Sequence, residues 1–287
     1  MDLELLDLLN QRLACPLLDD LMLLASAAGL VLLPGLGLWL LAQRRQRRLA
    51  LVLLGALAAA LAATLALQWL VARPRPEGVR LLLPAPAFDA YPSGHAALAW
   101  CAALLLALAW RRRAALIVGP LAATLISLSR VYLGHHHPSD VLGGALLGAG
   151  IGALFYGLWL APRGPRLRWA LWPQLALVLM ITQMAYLGLL PRGWDLGLPG
   201  ADKLLHFVLF GLLAFWLHLW LGGRRVRGLP LAPMLVLGGA SLEELCQALS
   251  PRRTADLLDL LCDVGGVLLF VALAQRVVRR APRPRPS

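Results

Sequence analysis

Residues 49–70 read LALVLLGALAAALAATLALQWL, a run without a single charge and with only Thr64 and Gln68 as hydrophilic side chains. Coiled at 1.5 Å per residue, it reaches about 33 Å, enough to cross the ~30 Å hydrocarbon core of a bilayer. It is apolar on every side, whereas a helix on a soluble bundle must keep a polar face for water. Working outward, Leu36–Ala42, Ala96–Trp110 and Val141–Ala161 are also nearly free of charge. The pattern predicts nine crossings, at about 17–42, 49–71, 94–110, 114–132, 138–161, 169–190, 203–221, 229–248 and 256–275. With 60% hydrophobic residues and a mean hydropathy of +0.72 over 287 residues, the chain reads as an all-α, polytopic membrane bundle. Residues 2–13, carrying Leu3, Leu5, Leu6, Leu8 and Leu9, predict a short amphipathic helix lying at the interface.

The net charge of +12 does not point to nucleic acid, because the basic residues fall in short clusters between apolar runs. Of the 27 Lys and Arg residues, 18 sit in one set of alternate loops, around Arg44–Arg48, Arg111–Arg113, Arg163–Arg168, Arg224–Arg227 and Arg276–Arg285, and all 15 acids fall on the other side. The positive-inside rule puts the Arg clusters in the cytoplasm and the N-terminus outside. Asp2, Glu4 and Asp7 are the wrong charge for the start of a signal peptide, and none is expected. The Arg/Pro-rich tail, Arg279–Ser287, is expected to be disordered near anionic lipid. Cys15, Cys101, Cys246 and Cys262 show no C-x-x-C pairing and read as small buried apolar residues; a Cys246–Cys262 disulfide is not expected. The segment Arg163–Trp169 joins five crossings to four and predicts two domains, residues 1–165 and 166–287.

Each half carries polar residues that plain membrane helix does not need. In the first half, Arg73-Pro74-Arg75-Pro76 ends the second crossing, Tyr91-Pro92-Ser93-Gly94-His95 opens the third, and Ser129-Arg130 with His136 and Asp140 lies between the fourth and fifth. Topology brings all three to one membrane face. Arg75 and Arg130 are guanidinium forks suited to phosphate oxygens. Ser93 and Gly94 begin a helix, where free N–H groups favour an anion. His95 and His136 supply a general acid and a nucleophile. Asp140, in the first turn after Pro138, can turn back to hold an imidazole N–H. His135-His136-His137 also admits a metal-binding reading, which is weaker because only Asp140 accompanies it.

These stretches resemble the type 2 phosphatidic acid phosphatases, membrane relatives of the vanadium haloperoxidases, whose pattern is Lys-x6-Arg-Pro, Pro-Ser-Gly-His, and Ser-Arg-x5-His-x3-Asp. The second stands as Pro92-Ser93-Gly94-His95 and the third as Ser129-Arg130-x5-His136-x3-Asp140. The resemblance covers roughly residues 10–160. It implies that His136 attacks phosphorus, that His95 protonates the leaving group and then activates water, and that Asp140 orients His136. It implies that Arg75, Arg130, Ser93 and the Gly94 amide hold the phosphoryl oxygens, with no metal or other cofactor. The first motif departs from the pattern, since Gln68 stands where the family has Lys. An amide can hydrogen-bond phosphate without neutralising it, and Arg73 is expected to supply nearby charge.

In the second half, Asp202, Lys203 and His206 open one crossing, Glu243, Glu244 and Gln247 end the next, Arg252 and Arg253 follow in the loop, and Asp256, Asp259 and Asp263 form one stripe on the last. Charges inside a span are costly and face partners. The order Asp202-Lys203-x2-His206, Glu244-x2-Gln247, Pro251-x-Arg253, Asp259-x3-Asp263-x2-Gly266 is similar to the VanZ-like family, whose Asn is Asp263 here. Both a ligand site and plain helix-joining ion pairs stay open for this cluster.

The expectation is a metal-independent phosphatase of a bacterial-type inner membrane, its site facing the exterior. Its expected partners are the bilayer and a lipid phosphate or pyrophosphate: a polyprenyl pyrophosphate, phosphatidic acid or phosphatidylglycerol phosphate. The alternatives are a lipid phosphotransferase, in which an alcohol takes the phosphoryl group, and a lipid-binding or glycopeptide-antibiotic-response protein with weak phosphatase activity.

Overall fold

The computed structural model describes residues 2–162, 166–191, 200–248 and 256–280. Helix dominates it, as the apolar runs require, since a backbone in hydrocarbon must satisfy its own hydrogen bonds. The helices are α1 (Asp2–Asp7, continued by a π turn over Leu8–Arg12), α2 (Pro16–Ala42), α3 (Arg47–Val71), α4 (Gly94–Trp110), α5 (Arg113–Tyr132), α6 (Pro138–Phe155, continued by a π turn to Leu160), α7 (Leu171–Leu187), α8 (Ala201–Trp220), α9 (Leu231–Ala248) and α10 (Leu257–Arg280). Each of the nine expected segments is therefore helical. Seven are long and apolar enough to cross a membrane, and α4 is a shorter apolar helix. The remaining one, α9, carries Glu243, Glu244 and Gln247 in its last turns.

The chain forms two compact units. The first holds Met1–Arg166 and Leu179–Gln183, the second Leu167–Val178 and Met184–Ser287, so α7 contributes to both. In the first unit, small residues set the spacing of the helices that bear the motifs. Gly144, Gly148 and Gly152 recur every four residues on α6, and a Cβ on any of them would strike a backbone carbonyl of the Ser93–Cys101 stretch. Packing without side chains lets two helix backbones come close, the usual device where lipid cannot drive association. The buried core beside them is made of short or compact residues: Leu53, Ala56, Ala60, Cys101 and Leu105. In the second unit, Gly266 on α10 meets the Phe207 carbonyl of α8, and Gly211 meets the Phe270 ring, which brings that helix pair equally close.

Three local expectations change. The N-terminal segment is not merely an interfacial amphipath: Leu6 and Asn10 are buried. Asn10 Nδ2 donates to the Arg80 and Tyr132 carbonyls, and its Oδ1 accepts from the Arg80 N–H. The long connection between α3 and α4 is thereby stapled to the N-terminus, with Arg80 paired in fork fashion to Asp19. Of the four cysteines, all free, only Cys101 is buried, whereas Cys15 and Cys246 are exposed. The crossing expected to begin at 229 is preceded by a small hairpin, Arg225–Val226 against Leu229–Pro230. Its turn puts Arg227 and Gly228 both at positive φ, 51° and 83°, which is the type I′ geometry favoured in two-residue hairpins. Arg163, Arg252, Arg253 and residues 281–287 of the tail lie outside the described residues.

Candidate active site

The site of the first unit assembles from four helix ends and the 72–93 connection. The last turn of α3 supplies Gln68, the start of α4 supplies Ser93 to His95, the last turn of α5 supplies Arg130, and the first turn of α6 supplies Asp140. Pro138 opens α6, and the Asp140 carboxylate accepts from the His137 N–H at 2.8 Å in a capping box. Sequence thus fixes Asp140 locally before any tertiary contact does. The Ser93 N–H donates to the Asp140 carbonyl at 2.9 Å, which locks the α4 entry to α6.

His136 is almost wholly buried. Its Nδ1 lies 2.9 Å from the Ala90 carbonyl and 3.6 Å from Asp140 Oδ2. Both neighbours are acceptors, so the proton belongs on Nδ1. Nε2 lies 3.4 Å from Arg75 Nη1, a donor, and therefore keeps its lone pair toward the guanidinium. The expected orienting partner was Asp140; the shorter bond goes to a backbone carbonyl that side-chain motifs do not encode. Burial pushes the His136 imidazole down to about 4, against the pull of Asp140. Burial thus favours the neutral form of the ring.

Asp140 is fully buried. Its Oδ1 accepts from Arg73 Nη1 at 2.5 Å, and Oδ2 also lies 3.3 Å from His137 Nδ1. Arg73 further donates to Ser139 Oγ at 2.7 Å and to Asp2 Oδ2 at 3.1 Å. Its charge is therefore spent on two carboxylates, which differs from the expectation that it meets phosphate. Gln68 differs likewise: its amide donates to the Pro92 carbonyl at 2.9 Å and holds the turn before Ser93. Asp2, read in the sequence as the wrong charge for the start of a signal peptide, closes this network by accepting from the Ser139 N–H at 3.0 Å.

The two remaining arginines face the site. Arg75 donates through Nη1 to the His135 carbonyl at 2.6 Å and through Nε to the Phe88 carbonyl at 2.8 Å. Burial pushes its guanidinium down from the usual arginine range, with Asp140 and Asp89 opposing. Arg130 donates to Ser26 Oγ at 2.6 Å and to His135 Nδ1 at 2.5 Å. His135 in turn donates from Nε2 to the Leu83 carbonyl at 3.0 Å, so its tautomer is fixed as well. The three neighbouring histidines make separate contacts, to Arg130, to Ala90 and to Asp140. Among the described residues no group of three or more His, Cys, Asp or Glu is arranged to hold a metal ion.

Around this frame several buried polar atoms have no partner among the described residues: Thr64 Oγ1, Ser93 Oγ, His95 Nε2 and Arg130 Nε. Each such atom costs on the order of 1–3 kcal/mol if it stays unmet. Three of them are donors or carry donors, and with Arg75 beside them they specify an anion with several oxygens.

The second polar cluster gathers α8, α9 and α10. Lys203 Nζ reaches Asp202 at 3.1 Å, Asp256 at 2.7 Å and Asp259 at 3.0 Å. His206 Nδ1 meets Asp263 at 3.1 Å. Gln247 Nε2 donates to Glu243 at 2.6 Å and lies 3.4 Å from Glu244, whose other oxygen accepts from the Asp256 N–H. All the predicted members converge except Arg253, which lies outside the described residues. The Lys203–Asp259 and His206–Asp263 contacts join α8 to α10, and Asp256, just before α10, links Lys203 of α8 to Glu244 of α9.

Comparison with known proteins adds to the geometry. Residues 49–164 match the PAP2 superfamily. Over 77 residues the chain is 44% identical to an undecaprenyl-diphosphatase of Sulfolobus acidocaldarius, covering 26% of this chain and 35% of that protein. Over 87 residues it is 37% identical to a decaprenylphosphoryl-5-phosphoribose phosphatase of Mycobacterium tuberculosis, covering 30% and 47%. The chain thus spans between about a third and a half of the length of these curated relatives. Among solved structures, Aquifex aeolicus LpxE aligns with a TM-score of 0.47 at 29% identity, over 53% of this chain and 93% of that one. A transmembrane PAP2 type phosphatidylglycerolphosphate phosphatase of Bacillus subtilis aligns with a TM-score of 0.46 at 26% identity, over 51% and 78%.

Proposed function

We propose, from the premise that residues 49–164 form a PAP2 superfamily domain, that this chain is a membrane phosphatase cleaving a lipid phosphate or pyrophosphate through a phosphohistidine. The observation that carries the reading is the set of buried polar atoms without a partner among the described residues, Ser93 Oγ, His95 Nε2 and Arg130 Nε, in a site where the His136 imidazole turns its lone pair toward Arg75. An anionic phosphoryl group satisfies all of them together, and fixed donors need no reorganisation as charge develops.

The steps balance as follows. His136 Nε2 attacks the terminal phosphorus, its bond to the lipid alcohol oxygen, or to the bridging oxygen of a pyrophosphate, breaks, and His95 gives that oxygen its proton. Water then attacks phosphorus, passes a proton to His95, and the P–N bond breaks to release phosphate. Arg75, Arg130, Ser93 and the Gly94 amide hold the phosphoryl oxygens. The Ala90 carbonyl keeps the proton on Nδ1 of His136, and the Asp140 charge steadies the ring as it becomes cationic. Arg73 and Gln68 position Asp140 and Pro92. None of these steps requires a metal ion.

A polyprenyl pyrophosphate is the favoured substrate, supported by the prenyl phosphate substrates in the names of the curated relatives. Phosphatidic acid and phosphatidylglycerol phosphate follow. The loop charges support a multi-pass placement in a bacterial-type inner membrane with this site on the exterior side. For the second unit we keep the VanZ-like reading, resting on the spacing of Asp202, Lys203, His206, Glu244, Gln247, Asp259 and Gly266 alone.

The test is to trap the enzyme with labelled lipid pyrophosphate. An acid-labile, base-stable label mapped to His136, and no label in His136→Ala, is the expected result. Label on another residue, or full turnover by His136→Ala, overturns the assignment.

A further inference from the structure

At the end of the first unit away from the histidines lies a cavity of about 750 Å³. It is lined by the last turn of α2, the α2–α3 link, the start of α3, the end of α4 and the π turn that follows α6. Leu49 lines it and Gln68 stands at the candidate active site, which separates the two places by about 28 Å along α3. Nothing in the proposed phosphatase chemistry uses it.

Its lining is one-sided in charge. Arg111 and Arg112 supply two guanidinium groups, and among the described residues no Asp or Glu lines the cavity to neutralise them. Gln46 and Arg112, which also line it, are the N-cap residues of α3 and α5, and neither helix start has a side-chain cap. Backbone N–H groups at both starts therefore lack side-chain acceptors; the ends of α2, α4 and the turn after α6 also meet here, so the helix dipoles oppose one another and the positive potential rests on the two guanidinium groups. Trp39 and Trp110 stand at the cavity and are exposed. Exposed indoles at the ends of apolar helices mark the level of lipid headgroups. Leu40, Leu49 and Leu160 supply apolar wall. The volume falls in the range of small-molecule sites.

We propose that this cavity binds the phosphate headgroup of an anionic glycerophospholipid, as a lipid site distinct from the active site. Arginine forks and helix N–H groups meet the phosphate, and the indoles flank the glycerol and upper acyl chains. A zwitterionic headgroup fits poorly, because its ammonium would face two arginines with no carboxylate at hand. The site does not depend on the phosphatase reading, and its test does not use turnover.

The experiment is native mass spectrometry of the full-length protein in detergent, titrated with phosphatidylglycerol or with phosphatidylcholine of the same acyl chains. One tightly retained phosphatidylglycerol is expected, with little phosphatidylcholine. At about 1 kcal/mol for each basic residue near a membrane surface, the double variant Arg111→Gln/Arg112→Gln should bind phosphatidylglycerol roughly thirtyfold more weakly. Arg111→Lys/Arg112→Lys keeps the charge and should recover most of the binding, which separates charge loss from misfolding. Arg44→Gln/Arg45→Gln removes the same charge from the same end of the molecule, from residues that do not line the cavity, and should change binding less than threefold. Equal loss in that control, undiminished binding in the Arg111/Arg112 double glutamine variant, or equal retention of phosphatidylcholine overturns the proposal. Displacement of the lipid by millimolar inorganic phosphate overturns it too, since the cavity would then be a site for free phosphate.

Discussion

Replacing Asp140 with Asn tests what its carboxylate does. The side chain keeps its shape and loses its charge. Asp140 Oδ2 lies 3.6 Å from His136 Nδ1, so at an effective dielectric of ~20 a full charge on the ring gains about 4.6 kcal/mol from it. Only part of that charge exists at the transition state for phosphoryl transfer. Half of it corresponds to about 2.3 kcal/mol, or a roughly fiftyfold loss of turnover. The alternative role, holding the imidazole tautomer, predicts almost no loss, because the Ala90 carbonyl already accepts from Nδ1 at 2.9 Å. The variant should therefore lose kcat about fiftyfold with KM little changed, and phosphoenzyme formation should be the slowed step in rapid-quench experiments. Stability should fall as well. Removing one partner of a buried ion pair typically costs ~3–5 kcal/mol, but Arg73 keeps Asp2 and Ser139, which brings the expectation to about 2 kcal/mol. A melting curve in detergent separates the two effects. Turnover within threefold of the parent, in a protein that melts normally, refutes the electrostatic role. A ten-thousandfold loss refutes the division of labour with Ala90.

Further outcomes follow from the same geometry. Because the folded pKa of His136 is pushed down to about 4 from an unfolded value near 6.5, the unfolded chain binds the proton first as pH falls; thermal stability should be full above pH 6.5 and decline toward pH 4, and His136→Asn should flatten that decline, whereas an unchanged slope would count against the buried neutral ring. Gly148→Ala places a methyl against the Ala97 carbonyl and should destabilise the protein by about 1–3 kcal/mol, whereas Gly35→Ala, with nothing within 4 Å, should not, as read from paired melting curves. Gln68→Leu leaves the Pro92 carbonyl without its donor and should cost about 1–3 kcal/mol of stability with a fall in kcat/KM for phosphate release, while Gln68→Lys, which can still donate to that carbonyl, should keep stability and raise kcat/KM; equal behaviour of the two variants would show that the bond to Pro92 is idle.

What the sequence made legible was whatever is written in consecutive residues. Residues 49–70 announce a crossing because every side of that helix is apolar, and the structure has α3 there. Pro138 and Asp140 announce a helix start two residues apart, and α6 begins accordingly with its capping box. Pro92-Ser93-Gly94-His95 announces the entry to α4. The site was legible as a roster of side chains on one face. It was not legible as a wiring diagram, because wiring depends on the fold of the 72–93 connection, which has no periodicity to read. Arg73 and Arg75 are two residues apart and look interchangeable as cations, yet one pairs with Asp140 and the other reaches the His135 carbonyl. The burial of Asn10 was equally hidden: an isolated amide in a leucine-rich segment gives no hint that its partners lie at positions 80 and 132. The Arg227-Gly228 turn carried only a weak local signal, a glycine after a basic run and before Leu229-Pro230.

The carbonyl of Ala90 sits against His136 while the N–H of the same residue donates to the Arg73 carbonyl at 2.8 Å. No amino-acid substitution at position 90 deletes that acceptor, since every residue type carries it. A saturation scan of the site would therefore score histidines, arginines and the aspartate, and would record position 90 only through the volume of the side chain placed in a space where alanine is fully enclosed. The contact that sets the His136 tautomer would be invisible to genetics and would surface only when the path of the whole connection shifts. For anyone redesigning this loop, its length and anchor points are the parameters to preserve, ahead of the identity of any residue within it.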